Sequence, residues 1–219
     1  MNYQTNKTIL LIDDHVVVRQ GLKSLLQQWG YSVVAEGGSG EEAILLWQKH
    51  QPNLAIIDLD MAGIGGLEAL NRILLRDKNA KILIYSMHED SIYATRAIQA
   101  GAKGYVIKTD DAQTLLDAVN KIMNGQRYIG QKLAQNLAID HVNDNKRPLE
   151  KLTAREFEVF RQIVDGNSLS QISNSLNISY KTVANIQTQI KQKLDVQTTA
   201  NLVHLAILHG VVGKREPLA

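Results

Sequence analysis

Cysteine is absent from the 219 residues. That excludes a disulfide framework, a thiolate nucleophile and a Cys-ligated zinc site, and it suits a reducing cytosol. No apolar run reaches the roughly 18 residues that a membrane span needs. The leading MNYQTNKTILLIDDH has neither a charged n-region nor a long apolar core, so no secretory signal is expected. One-sided charge is also missing. The formal net charge is only +2, with 44% hydrophobic and 21% charged residues, the balance of a folded domain rather than a disordered chain.

That small charge is unevenly placed. Residues 1–132 hold 14 Lys and Arg against 14 Asp and Glu, and residues 133–219 hold 10 against 8, so the whole excess lies in the second part. Between 166 and 194 stand Lys181, Lys191 and Lys193 with no acid, the footprint of a face for a polyanion.

Apolar periodicity divides the chain. In the first part short strand-like runs (Thr8–Ile12, Tyr31–Ala35, Leu54–Asp58, Lys81–Ser86, Gly104–Ile107) alternate with amphipathic stretches (Val16–Trp29, Glu41–Lys49, Leu67–Arg76, Ile92–Ala100, and one from Asp110 to about Asn124). Ser39-Gly-Glu-Glu42 is a capping box, Asp110 an N-cap, and Gly101 and Gly125 are stops. Five β-then-α units with strands apolar on both faces predict a five-stranded, doubly wound parallel sheet over 8–124. Residues 125–147 read as a linker, partly helical over Gln131–Val142, and His141–Glu150 is polar and aperiodic. From 148 to 213 the pattern is all helix. A capping box at Thr153-Ala-Arg-Glu156 opens a helix stopped by Gly166. Ser168 caps Leu169–Leu176, a tight turn Asn177-Ile-Ser179 precedes Lys181–Leu194, and Thr198 caps Thr199–His209. The two central helices have helix-turn-helix proportions.

In an open α/β sheet, ligands sit beyond the carboxyl ends of the strands. Here those ends carry Asp13-Asp14, Asp58, Ser86 and Lys108. Crowded carboxylates repel one another, and Mg²⁺, an oxygen-seeking cation, relieves that. A carboxylate so placed can act as nucleophile toward a phosphoryl group, with the metal, an ammonium and a hydroxyl meeting the developing charge.

The segments ILLIDDH (9–15), IIDLDMAGIGG (56–66), ILIYSMHED (82–90) and GYVIKTD (104–110) resemble response-regulator receiver domains, which have a flavodoxin-like fold. The resemblance implies Asp58 as phosphoacceptor. It implies Mg²⁺ held by Asp13, Asp14, Asp58 and the backbone carbonyl of Asp60, with Ser86 and Lys108 contacting the phosphoryl group. Tyr105 matches the aromatic that changes rotamer on activation. Ala62 and Thr109 stand where the family often has proline. Two other motifs were weighed. Gly38-Ser-Gly40 opens a helix like a dinucleotide fingerprint, but it follows the second strand and is trailed by Glu41 and Glu42, wrong for a pyrophosphate. Asp58-Leu-Asp60 resembles the DxD of haloacid-dehalogenase-type phosphatases, which also form an aspartyl phosphate. That is the alternative, enzymatic reading. The six histidines (15, 50, 88, 141, 204, 209) show no metal-ligand spacing, and Trp29 and Trp47 read as packing residues.

The second part carries Leu152-Thr-x-Arg-Glu156, Gly166, Ile172-Ser-x-x-Leu176 and Ser179-x-Lys-Thr-Val183. It resembles the LuxR-type DNA-binding domain, and the two domains in this order resemble a NarL/FixJ-type response regulator. That likeness implies base-facing Ala184, Asn185 and Thr188, and phosphate contacts from Lys181, Thr182 and Gln187 alongside the basic Lys191. Ile186 stands where relatives usually have histidine. Three lysines hold DNA weakly, so a dimer on two half-sites is expected. The last helix, apolar nearly all round, supplies dimer contacts at Leu202, Val203 and Ile207. The whole reading is a cytoplasmic, non-enzymatic, non-membrane transcription regulator. It takes phosphate from a sensor histidine kinase, and phosphorylation then promotes homodimeric binding to double-stranded DNA.

Overall fold

In the computed structural model, residues 7–61, 63–89, 91–131, 133–135, 148–209 and 211 are described. The chain forms two compact units, Met1–Ala138 and Ile139–Ala219.

The first unit alternates strand and helix: β1 (Thr8–Ile12), α1 (Val16–Gln28), β2 (Ser32–Gly37), α2 (Gly40–His50), β3 (Leu54–Ile57), α3 (Gly65–Arg76), β4 (Ile82–Ser86), α4 (Ser91–Ala100), β5 (Gly104–Ile107), α5 (Ala112–Met123) and β6 (Tyr128–Ile129). All pairings are parallel, in the order β2-β1-β3-β4-β5-β6. Ile9–Ile12 and Leu54–Ile57 are buried along their whole length, because helices cover both faces and each strand must be apolar on both sides. Leu22 and Leu26 of α1 and Leu115, Val119 and Ile122 of α5 close one face over Ile9, Leu11, Ile56, Leu83 and Val106. Strand alternation turns Leu10, Ile12, Ile57 and Ile84 to the other side.

The order of winding reverses between β1 and β3. A crevice opens where connections diverge, so the ends of β1 and β3 lie side by side. Asp58 N–H donates to the Ile12 carbonyl at 2.8 Å, and Lys108 N–H to the Ser86 carbonyl at 2.8 Å. Backbone pairing thus carries on just past the strands and fixes where the polar side chains emerge. Glycine lets α3 come close: a Cβ on Gly66 would lie 1.9 Å from the Asp58 carbonyl oxygen.

Several expectations need correction. The sheet has six strands rather than five, because Tyr128–Ile129 pairs with Gly104–Tyr105, inside the segment read as linker. The second strand is Ser32–Gly37. Asp111, not Asp110, caps α5 by accepting from Thr114 N–H at 2.7 Å. Asp110 instead accepts from Ile107 N–H, closing the turn after β5. The box at Ser39 is only half formed, since Glu42 reaches past it to Gly38 N–H at 2.6 Å. Pro148–Lys151, where the aperiodic stretch gives way to the helical pattern, forms a turn of 3-10 helix. Of the helix expected over Gln131–Val142, the stretch past 135 lies outside the described residues, as do Ala62, most of the linker and residues 212–213.

Among its described residues the second unit has four α-helices: α6 (Ala154–Val164), α7 (Leu169–Ser175), α8 (Tyr180–Lys193) and α9 (Thr199–Leu208). Thr153 and Glu156 form the expected capping box, and Ser168 with Gln171 forms another. Phe157, Phe160, Ile172, Val183, Ile190 and Leu202 make the core. Val183 and Ile190, seven apart, are the one stripe that α8 buries, which leaves its remaining faces to solvent.

Candidate functional site

At the C-terminal edge of the sheet, Lys108 bridges two carboxylates. Its Nζ lies 2.6 Å from Asp13 Oδ2 and 2.8 Å from Asp58 Oδ2. Asp13 is 3% exposed and Asp58 2%, so neither is well solvated. Asp58 is tied at both oxygens, Oδ1 accepting from Leu59 N–H at 2.7 Å. Asp13 Oδ1 accepts from His15 N–H at 2.8 Å. Asp14 stands at the mouth, its side chain 37% exposed.

Burial pushes the Asp58 carboxyl up to about 6; the Lys108 hydrogen bond and charge pull it partway back, while Asp13 and Asp60 add to the rise. At neutral pH roughly nine-tenths of it is still ionised. For Lys108, burial alone would favour the neutral amine, but its hydrogen bonds to Asp13 and Asp58 outweigh that and hold the ammonium above its ordinary value. The resting site is therefore a buried ion triplet, with an anionic oxygen nucleophile held by a cation.

Around this centre the other expected residues take definite places. Ser86 is fully buried, and its Oγ accepts from His88 N–H at 3.3 Å. Tyr105 is also fully buried; its hydroxyl donates to the His88 carbonyl at 2.8 Å. His88 Nε2 lies 2.7 Å from Asp60 Oδ2, and its ring stacks on Tyr93 at 3.7 Å and 3°. One residue thus joins the serine, the buried tyrosine and the β3–α3 loop. The sequence pattern did not single out His88, because its contacts come from four other elements. Arg19, also unremarked, donates to the Asp13 carbonyl.

Asp13, Asp14, His15 and Asp58 each present one donor atom within 4.8 Å of all the others. Three hard carboxylates clustered in this way suit a divalent cation such as Mg²⁺. His15 directly follows the acidic pair, and the turn into α1 brings its Nδ1 within 2.7 Å of Asp14 Oδ1.

In the second unit, Asn177 takes a left-handed conformation at φ 51°, and Ser179 caps α8 by accepting from Thr182 N–H at 3.1 Å. Lys181, Thr182, Asn185 and Thr188 are exposed along α8, while Ala184, Gln187 and Lys191 are partly so. The Thr182 hydroxyl is engaged with Ser179 at 2.8 Å, and the Thr188 hydroxyl donates to the Ala184 carbonyl at 3.0 Å. One ion pair ties α8 directly to α6, and two hydrogen bonds tie α6 to α7. Lys193 pairs with the buried Glu156 at 2.7 Å, Arg155 donates to the Leu176 carbonyl at 3.1 Å, and the Ser175 hydroxyl donates to Gln162 at 2.7 Å. On α9, Leu202 is 0% exposed. It belongs to its own unit's core and is withdrawn from the expected dimer surface. Ile207 and Leu208 are 59% and 65% exposed, and Val203 is half-buried.

Comparison with known proteins agrees with both halves. Residues 9–120 match the family described as "Response regulator receiver domain", and residues 150–206 match "Bacterial regulatory proteins, luxR family". The chain is 34% identical over 206 residues to the response regulator UvrY of Escherichia coli K12, covering 93% of this chain and 94% of that one. A crystal structure of a LuxR-family two-component response regulator from Aurantimonas sp. SI85-9A1 is similar at 40% identity and TM-score 0.60, covering 62% of this chain and 97% of that one. Salmonella enterica RcsB, bound to promoter rprA in the presence of phosphomimetic BeF3-, shares the fold at 22% identity and TM-score 0.66, covering 91% and 98%. Among the described residues, no helix is long and apolar enough to cross a membrane.

Proposed function

Because the chain belongs to the response-regulator family of transcription regulators, joining a receiver domain to a LuxR-type domain, we propose that Asp58 is its phosphoacceptor and that α8 is its DNA-reading helix. The receiver is assigned to 8–124, the linker to 125–147, whose β6 pairs with the edge of the receiver sheet, and the DNA-binding domain to 148–213. The observation that carries the proposal is the Lys108 bridge between Asp13 and Asp58 in a buried pocket at the strand ends.

An Asp58 carboxylate oxygen attacks the phosphorus of a phosphohistidine on a sensor kinase. The O–P bond forms, the P–N bond breaks, and the imidazole, already protonated on its other ring nitrogen, leaves as the neutral ring. Asp13, Asp14, Asp58 and the Asp60 carbonyl would hold Mg²⁺, which neutralises phosphoryl charge when bound. Lys108, already in contact with the nucleophile, follows the negative charge onto the phosphoryl oxygens. The Ser86 hydroxyl donates to one of them. Ser86 shares a hydrogen bond with His88, whose carbonyl holds Tyr105, so a pull on Ser86 disturbs the seat of the buried tyrosine. A modification worth a few kcal/mol is enough to shift such a two-state element.

The phosphorylated chain then binds double-stranded DNA as a homodimer. Asn185, Thr188 and Ala184 face the bases, while Lys181, Thr182, Gln187 and Lys191 steady the backbone. Val203 and Ile207 on α9 provide the contact between copies. The setting is the cytoplasm, and the protein is not an enzyme toward free phosphoesters.

Incubation with acetyl phosphate and Mg²⁺, read by intact mass, should give one phosphate adduct that Asp58→Asn abolishes. Full labelling of that variant, or steady turnover of phosphoesters, would overturn the assignment.

A further inference from the structure

The segment between the two domains begins as part of the receiver. Its Tyr128 pairs with Gly104 and its Ile129 with Tyr105 at the edge of the sheet. Lys121 of α5 stands over the Tyr128 ring, its Nζ 5.1 Å from the ring centre. Past β6 the chain enters a helical turn at once, where Ala134 N–H donates to the Gly130 carbonyl at 2.9 Å. That turn sends one apolar side chain inward. Leu133 is 1% exposed, whereas Gln131, Ala134 and Gln135 are exposed. Leu133 walls an open cleft of about 440 Å³ together with Tyr105, Ile107, Asp110, Thr114 and Tyr128.

Resting on the phosphorylation site proposed above, we propose that Leu133 is a positioning residue through which the start of the linker senses the seat of Tyr105. Tyr105 is held in two ways. Its backbone is strapped to Ile129, and its hydroxyl donates to the His88 carbonyl at 2.8 Å. His88 N–H in turn donates to Ser86 Oγ at 3.3 Å. A pull on Ser86 therefore shifts the carbonyl that fixes the tyrosine. The cleft gives the freed ring room, and Leu133 stands on its wall. A ring that enters the cleft competes with Leu133 for that space. One helical turn cannot persist by itself, so without its buried leucine it lets go of the sheet edge. Coupling of this kind is reciprocal. Whatever loosens Leu133 must favour the phosphorylated arrangement by the same factor.

The test uses the full chain with Mg²⁺ and beryllofluoride as the phosphoryl mimic. Amide hydrogen exchange at Ala134 should quicken about fivefold when the mimic binds, while the buried Leu11 amide of β1 stays protected. Leu133→Ala should quicken Ala134 exchange without the mimic and bind beryllofluoride about fivefold tighter than wild type. Leu133→Met, which keeps the side-chain volume, should return both readouts to wild type. A Leu133→Ala chain that is only less stable in urea, and binds the mimic no tighter than wild type, makes Leu133 a plain anchor and overturns the proposal. Ala134 exchange in wild type that ignores the bound mimic overturns it as well. If wild type does not bind beryllofluoride at all, the Asp58 assignment fails and the linker coupling falls with it.

Discussion

Replacing Asp58 by asparagine should stabilise the metal-free receiver, although it breaks one arm of the Lys108 bridge. Asn keeps the shape of the side chain and removes the charge. In the folded chain the carboxyl is held up at about 6, against 3.8 for the free group. About two pH units at 1.36 kcal/mol each mean that ionising Asp58 costs the folded state about 3 kcal/mol relative to the unfolded chain. Below about pH 3 both states are protonated and nothing is lost. As pH rises toward 6, the unfolded chain has released its proton while the folded one still holds it, so wild-type stability falls. Above about pH 7 both are ionised and the full penalty stands. The variant should therefore exceed wild type by about 3 kcal/mol at pH 8, by roughly half that at pH 5, and by only about half a kcal/mol at pH 4. Both tryptophans of the chain, Trp29 and Trp47, lie in the first unit. Tryptophan fluorescence in urea, with chelator present, thus reports receiver unfolding alone. A variant no more stable than wild type at pH 8, or an advantage that persists unchanged into acid, would refute the reasoning. Saturating Mg²⁺ should narrow the gap, because it binds the folded wild type.

Gly66→Ala should destabilise the receiver by about 3 kcal/mol, because its Cβ would meet the Asp58 carbonyl oxygen at 1.9 Å; a urea midpoint equal to wild type would contradict that close approach. With chelator replaced by subsaturating Mg²⁺, the acetyl phosphate labelling rate should drop about tenfold from pH 7 to pH 5, as the Asp58 carboxylate takes up a proton near 6; a flat profile counts against it as nucleophile. Lys181→Ala should weaken binding of all DNA sequences alike and lower the salt slope by about 1, whereas Asn185→Ala should blur sequence preference with the slope unchanged. Ile207→Glu should cut self-association of the phosphorylated chain, read by sedimentation velocity, without slowing labelling; Leu202→Ala should instead unfold the second unit by about 3 kcal/mol, since Leu202 is core.

Features that depend on neighbours along the chain were legible from residues alone. Strands buried on both sides must be apolar throughout, so β1 and β3 showed as solid runs ending in acids. Caps at Thr153, Ser168 and Thr198 reach only three residues, and glycine stops at 101, 125 and 166 need only a positive φ. The convergence of Asp13, Asp58, Ser86 and Lys108 was legible too, because parallel strands put every carboxyl end on one edge. Three things waited for the tertiary structure. Tyr128–Ile129 is an edge strand of two residues, too short for any period, and only the partner β5 makes it a strand. On α9, apolar residues surround the helix, so periodicity could not say that Leu202 turns inward and Ile207 outward; packing on the unit's own core chose the face. The contacts of His15 and His88 were hidden for a common reason. Side-chain direction is set by backbone turns and by contacts with other elements, and spacing along a chain does not record where a ring will point.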